Sequence, residues 1–246
     1  MIRLFDEIDV YEENFDSCLS GPGDPPHIDP RLISNPQILS HTYKFFLNYS
    51  IKSVNVASLA LSFHSNLIAL NYNIQNVFEL AYKIRVNGGM HLHECDLFNQ
   101  SKEQIIHSMK RFLDDLVMFL CIYHDKDYFE NNKKIRIESI GMLLNCSSRL
   151  GKLIKDDLNY NNFCELFKII NDLHNSYKHS FFLHESRLMT TNEGVAFFSL
   201  YIPRGDIKKA KYIACTLYHI KKSFNAFLLD FFCLEKASEK PKIVRH

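Results

Sequence analysis

A short polar stretch near residue 175 contains the side chains best suited to acid–base chemistry or to binding an anion. It reads HNSYKH over residues 174–179. Residues four apart share one face of a helix, so a helix here places Asn175 and His179 one above the other, with Asp172 one turn earlier. An imidazole, an amide and a carboxylate would then lie on one stripe, with Lys178 at its edge.

Two predicted helices position these groups. The first carries the polar stretch, and its apolar side chains recur three and four residues apart, as in a helix that packs on a core: Phe163, Leu166, Phe167, Ile170, Leu173, Tyr177 and Phe181. The second follows the capping-box-like Ser101 to Gln104 and has Arg111 on its polar face. Arg111 either forms a surface ion pair with Asp114 or Asp115, or faces His179 across a groove.

The composition excludes a globally basic protein and a membrane span. The 246 residues include 20 Phe and 12 Tyr, which are enough for a substantial core. The net charge is +1, whereas nucleic-acid-binding domains are usually clearly basic, so any RNA contact must come from a local patch. The seven cysteines form no C-x-x-C pair and predict reduced thiols in a cytoplasmic protein, and no apolar stretch is long enough to cross a membrane.

The apolar spacing predicts a mainly α fold with a small β-hairpin insertion near residues 187–201. We expect an irregular arm with Pro and Gly over 1–35, a single helical domain over 36–234, and a polar tail over 235–246. One helix should end at Asn87, before two glycines. The last helix should run from Ile207 to about Cys233, with Asp206 as its N-cap.

The centre of the chain has weaker signals. Residues 125–134 form a predicted charged linker, a helix is expected over 135–144, and a short helix is expected over 149–158. Asn161 or Asn162 is suited to cap the helix that carries the polar stretch.

A predicted loop offers a different chemistry, because His91, His93, Glu94 and Asp96 lie close together in the sequence. Zinc sites usually take their ligands from two separated pairs, and no second pair of such spacing is present. A metal-dependent hydrolase is therefore the weakest of three hypotheses, and the other two require neither a metal nor another cofactor.

The polar stretch resembles the signature of HEPN domains, in which an Arg is followed after four to six residues by a His, often with Asn, Asp or His directly after the Arg. Asn175 and His179 match this pattern, and His174 occupies the position of the Arg. The chain is also similar to uncharacterised bacterial defence-associated proteins with an Asn-x-x-Lys-His-Ser run, whose partner helix looks like the segment around Arg111. The resemblance covers about residues 101–232.

The resemblance implies an HEPN-like helical bundle that forms a homodimer and acts on RNA as a metal-independent endoribonuclease. The biological setting that it implies is bacterial antiphage or toxin–antitoxin defence. His179 would be the acid or base, because a pKa near 6.5 suits that role at neutral pH. Asn175 would position the RNA with His174 beside the phosphate, and Lys178 and Arg111 would stabilise the charge that the phosphate gains.

The alternative is a catalytically inactive helical module that forms a homodimer or binds a protein partner. In that case, exposed aromatic side chains and the Pro-containing arm would form the contact surface. His174 would be a hydrogen-bonded core histidine, and Asn175 and His179 would cap backbone groups near the helix end.

Overall fold

The computed structural model describes six stretches of the chain: 8–10, 56–87, 92–179, 190–191, 194–202 and 210–232. Within them lie seven helices: α1 (Val56–Asn87), α2 (Leu92–His124), α3 (Lys126–Asn132), α4 (Ile140–Leu144), α5 (Arg149–Asp157), α6 (Tyr160–His179) and α7 (Leu217–Phe231). The described strands are β1 (Ile8–Val10), β2 (Thr190–Thr191), β3 (Gly194–Tyr201) and β4 (Lys211–Thr216). The predicted mainly α fold with a small hairpin is confirmed.

The chain divides into two compact units, and α1, α2, α6 and α7 each contribute residues to both. The first unit comprises Met1–Leu32, Ala69–Lys110 and Phe167–Lys221. The second comprises Ile33–Ile68, Arg111–Leu166 and Lys222–His246. The predicted domain boundaries at residues 35 and 234 lie outside the described residues.

The first unit contains a sheet in the order β1-β4-β3-β2. The predicted hairpin is formed by β2 and β3, in which Thr191 lies opposite Gly194 and a two-residue connection joins the strands. β3 also pairs antiparallel with β4, and β1 pairs parallel with β4. The hairpin is therefore part of a larger sheet to which a three-residue strand from the predicted N-terminal arm also belongs.

Three helices bury one apolar stripe each in the first unit, as the 3.6-residue period of a helix requires. Each fully buried aliphatic or aromatic side chain stabilises the fold by roughly 1.5–3 kcal/mol. The buried side chains are Leu70, Ile74 and Val77 on α1, Phe98, Ile105, Ile106 and Met109 on α2, and Phe167, Ile170 and Leu173 on α6.

A buried pair of hydroxyl groups connects α6 to β3. The hydroxyl of Ser199 donates a hydrogen bond to Ser176, whose own hydroxyl donates to the carbonyl oxygen of Leu173 at 2.7 Å. Both serines are buried, so these bonds supply the partners that buried hydroxyls need. Ser176 thus faces the interior with Leu173, and the neighbouring His174 lies on a less buried side of α6.

Aromatic contacts and capped helix starts organise the second unit. The ring of Phe112 on α2 meets those of Phe63 and Phe224 edge-on, with centroid distances of 5.0 and 5.8 Å. The Asp114 carboxylate accepts the N–H of Ile140, the first residue of α4, at 2.8 Å. Ser148 caps α5 by accepting the N–H of Gly151 at 3.1 Å.

Two predicted helix starts are wrong. α2 begins at Leu92, so Ser101 lies inside the helix instead of capping it, and residues 92–96 are helical instead of a loop. α6 begins at Tyr160, so the candidate caps Asn161 and Asn162 lie in its first turn. A Ser followed by a polar residue three positions later also fits the exposed face of a continuing helix, which explains the first error.

The last predicted helix starts too early. Residues 211–216 form β4, and α7 begins at Leu217, with the Thr216 hydroxyl accepting the N–H of His219 at 3.2 Å. Asp206 and Ile207 lie outside the described residues. A short apolar run fits a strand or a helix equally well, and here its pairing with β3 decides between them.

Other predictions have mixed outcomes. α1 ends at Asn87, as predicted, and α5 matches the predicted short helix. The predicted linker contains α3, because residues 126–132 are helical. The helix predicted over 135–144 starts too early, because α4 begins at Ile140. Four cysteines in the described stretches carry free thiols, of which Cys121 is buried and three are half-buried. No helix in the described stretches is long and apolar enough to span a membrane.

Replacing Ser176 with Ala should destabilise the protein more than replacing Ser199 with Ala. Ser176→Ala leaves the buried Ser199 hydroxyl without its acceptor, which costs about 1–3 kcal/mol. Ser199→Ala leaves the Ser176 hydroxyl bonded to the Leu173 carbonyl, so we expect a loss of about 0.5–1.5 kcal/mol. Urea unfolding of both variants and the double variant tests this order. Equal losses, or additive losses in the double variant, would contradict the hydroxyl chain.

Candidate functional site

The polar stretch lies at the C-terminal end of α6, on a helix held by its apolar stripe. His174 and Asn175 are half-buried and Lys178 is exposed. His179 is the last residue of α6, and its side chain is not among those that the structure describes. The described part of the stretch is thus reachable from solvent, next to the buried Leu173 and Ser176.

His174 contacts a second histidine, on α2. The imidazole rings of His107 and His174 meet edge-on, with centroids 4.5 Å apart and ring planes at 87°. The Nδ1 atom of His174 is buried and has no hydrogen-bond partner. The interpretation of His174 as a hydrogen-bonded core histidine therefore does not account for this nitrogen.

Burial and positive charge hold both histidines in the neutral form. Burial lowers the pKa of His174 from 6.5 to about 4, together with the ammonium groups of Lys178 and Lys110 and with His107 when that ring is protonated. Burial and Lys178 also lower the pKa of His107, against the opposing effect of the Glu103 carboxylate. Near neutral pH, His174 is consequently an uncharged imidazole beside ammonium groups.

We refer to Glu103, His107, Lys110, His174 and Lys178 as the histidine–lysine cluster. It contains two ammonium groups, one carboxylate and two imidazoles that can each accept a proton. Lys110 is only 6% exposed, whereas Lys178 is exposed, so the positive charge extends from the protein interior to the surface. Such a group can bind an anion, and its neutral imidazoles can accept protons.

The structure brings together some of the predicted site residues. Lys178 lies one helical turn after His174 on α6, and its charge lowers the pKa of His174. Arg111 is exposed and belongs to the second unit. Burial raises the pKa of Asp115 there, and the positive charge of Arg111 partly offsets this rise. Asp115 also accepts a hydrogen bond from Asn66 at 3.4 Å, which places Arg111 in a polar group of its own.

Sequence reasoning missed the contribution of α2 to the cluster. Glu103, His107 and Lys110 lie four and three residues apart, so they form a stripe on one side of the helix. The spacing was visible in the sequence, but the contact with His174 joins two helices that are distant along the chain.

The thiol of Cys215 and the phenol of Tyr177, both in the first unit, are poorly suited to reaction. Burial raises the pKa of Cys215 to about 12, and burial also raises the pKa of Tyr177 far above its ordinary value. Both groups therefore stay protonated at neutral pH. Burial lowers the pKa of Lys102 to about 8, and its ammonium lies 3.5 Å from the Ala196 carbonyl oxygen. Lys102 thus faces β3.

The described residues contain no group of three or more His, Cys, Asp or Glu side chains that could hold a metal ion. Of the predicted ligands, His93 and Asp96 are exposed and Glu94 is half-buried on α2, whereas His91 lies outside the described residues. The predicted loop that would have gathered them is helical from Leu92 onward.

Comparisons with known proteins give no match: no protein-family model, no curated protein and no solved structure matches the chain. The resemblance to HEPN domains rests on the residues of the polar stretch. The geometry of the histidine–lysine cluster is therefore the basis on which we infer a function.

The stability of the protein should fall as the pH is lowered from about 6.5 to about 4. In this window the unfolded chain binds a proton at His174 that the folded protein does not bind, so protons favour unfolding. Neutral His174 makes its full contribution to the free energy of unfolding above pH 6.5, the pKa of histidine in the unfolded chain. This contribution is lost as the pH falls towards about 4, the pKa of His174 in the folded protein.

Urea unfolding of wild type and His174→Gln at neutral and acidic pH tests this expectation. The variant should lose less stability than wild type on acidification. His64→Gln changes another half-buried histidine, on α1, and should keep the wild-type dependence. An unchanged pH dependence in His174→Gln would contradict the assignment.

Proposed function

We propose that this chain is an HEPN-like, RNA-associated protein that binds phosphate groups of RNA at the histidine–lysine cluster. The observation that carries the proposal is the contact between His107 and His174 beside the charges of Lys110 and Lys178. Ammonium groups attract the phosphate oxygens, and imidazole N–H groups can donate hydrogen bonds to them.

Two lysines supply the positive charge that an arginine provides in the HEPN pattern. His174 occupies the position of that arginine and is neutral near pH 7, so it cannot replace the arginine's charge in the free protein. The positive charge lies instead one helical turn later, at Lys178, and on α2, at Lys110. An ammonium acts as a point charge, without the bidentate geometry of a guanidinium.

The overall charge supports a local contact with RNA. With a net charge of +1, the chain has no large overall excess of positive charge to attract many phosphates. We therefore expect the cluster to bind a few phosphates of a single-stranded segment, with a weak dependence of affinity on salt.

Lys178→Met should weaken the binding of a single-stranded oligouridylate. Loss of one phosphate contact should also lower the slope of log affinity against log salt concentration by about 0.7. Fluorescence anisotropy at several salt concentrations measures both quantities. Lys168→Met is the matched control, because Lys168 is an exposed lysine on the same helix. Equal effects of the two substitutions would show that binding does not involve the cluster.

Metal-independent RNA cleavage is a second candidate function, and the paired imidazoles favour it. Cleavage without a metal requires a base to remove the proton of the ribose 2′-OH and an acid to protonate the leaving oxygen. Neutral His174 is in the protonation state that a base requires for the first step. The HEPN resemblance assigns acid–base work to His179 and positioning to Asn175, and it also implies a homodimer.

If cleavage occurs, His174→Gln and His179→Gln should each lower its rate by about 10²–10⁴-fold, the usual contribution of acid–base catalysis. The measurement is the cleavage rate of total RNA and tRNA, with and without EDTA. His64→Gln should cleave at the wild-type rate in both conditions. Loss of activity in EDTA would reject the metal-free route, and wild-type cleavage by both variants would reject these histidines. RNA binding without any cleavage would correspond to a non-catalytic module.

A further inference from the structure

We propose that the contacting imidazoles of His107 and His174 take up a proton when an RNA phosphate binds, so that RNA association strengthens as the pH falls. This inference rests on the proposed association with RNA and adds a mode of regulation to the same site. The two histidines would be a proton-linked sensor of bound phosphate.

The geometry leaves one imidazole nitrogen ready for this role. The Nδ1 atom of His174 is buried without a hydrogen-bond partner, and the ring packs edge-on against His107 at 4.5 Å. A buried polar atom without a partner is costly, and the negative charge of an anion bound nearby would lower the cost of protonating the ring. Two rings this close cannot both become charged easily, because like charges repel.

The surrounding charges explain why the proton is absent until an anion arrives. On α2, Glu103 favours protonation of His107, and Lys110 opposes protonation of His174. On α6, Lys178 opposes protonation of both histidines. Burial acts in the same direction as the lysines. A phosphate near Lys178 would offset these positive charges and would raise the proton affinity of the pair.

These charges determine whether RNA affinity rises or falls with pH. The pKa of His174 in the free protein is about 4, and a nearby phosphate raises it. Between the free and bound values, binding therefore takes up a proton. Affinity should rise by up to about tenfold for each unit by which the pH falls, if one proton is linked to binding.

Calorimetry with an oligouridylate that has hydroxyl groups at both ends measures this linkage directly. Its phosphodiesters and bases have no group that titrates near neutral pH, so a proton taken up must bind to the protein. Titrations in two phosphate-free buffers with different ionisation enthalpies give the number of protons bound. We expect an uptake between zero and one proton in wild type, which increases as the pH is lowered from neutral.

His174→Gln should abolish the uptake and flatten the pH dependence of affinity, and His107→Gln should reduce both. His64→Gln should retain the wild-type uptake. If either cluster variant fails to fold, the wild-type titration still decides, because zero uptake at every pH would refute the inference.

The outcomes separate this inference from the proposed function. RNA binding that depends on Lys178 but involves no proton uptake would overturn the inference and leave the proposed function standing. An uptake that persists unchanged in His174→Gln would also overturn it. No binding of the oligouridylate by wild type would reject the proposed function, and with it the linkage.

Discussion

The contact between the imidazoles of His107 and His174 is the constraint on which this account depends. It holds a polar ring partly out of water, leaves one of its nitrogens without a partner, and places ammonium groups nearby. Each of these features disfavours the charged imidazole and costs folding free energy. The protein tolerates the arrangement because the apolar packing on either side is extensive.

The contact depends on which side chains of α2 and α6 face the interior. On α6, Leu173 and Ser176 face the interior, so the chain geometry places His174 at the margin of the buried stripe. On α2, Ile106 and Met109 are buried, and His107 lies between them along the chain at a similar margin. The hydroxyl pair of Ser176 and Ser199 limits the rotation of α6 relative to β3, and so limits where the ring of His174 can lie.

Much of this architecture could be predicted from the sequence. The apolar spacing identified α6 and the end of α1 at Asn87, and the turn residues identified the hairpin, because these features depend on local periodicity and backbone preference. The polar stretch also pointed to His174 and Lys178. The start of α2 at Leu92 was missed, because a capping signal at Ser101 is also compatible with a helix that simply continues.

The partner of His174 could not be predicted in the same way. A helical pattern tells which residues share a face, but it does not tell which other helix that face meets. The strand at 211–216 shows the same limit, because only its pairing with β3 distinguishes it from the start of α7. The burial that keeps His174 uncharged likewise arises from tertiary packing. The sequence therefore identified this histidine as a candidate but could not predict its protonation state.

The most direct test is the NMR titration of the His174 imidazole in the wild-type protein, assigned by comparison with a variant that lacks this histidine. The account predicts that the ring signal stays unchanged from neutral pH downward until it titrates near pH 4. Titration near the ordinary value of 6.5 would show an imidazole in free contact with water, and would contradict the buried pair on which the phosphate site is built.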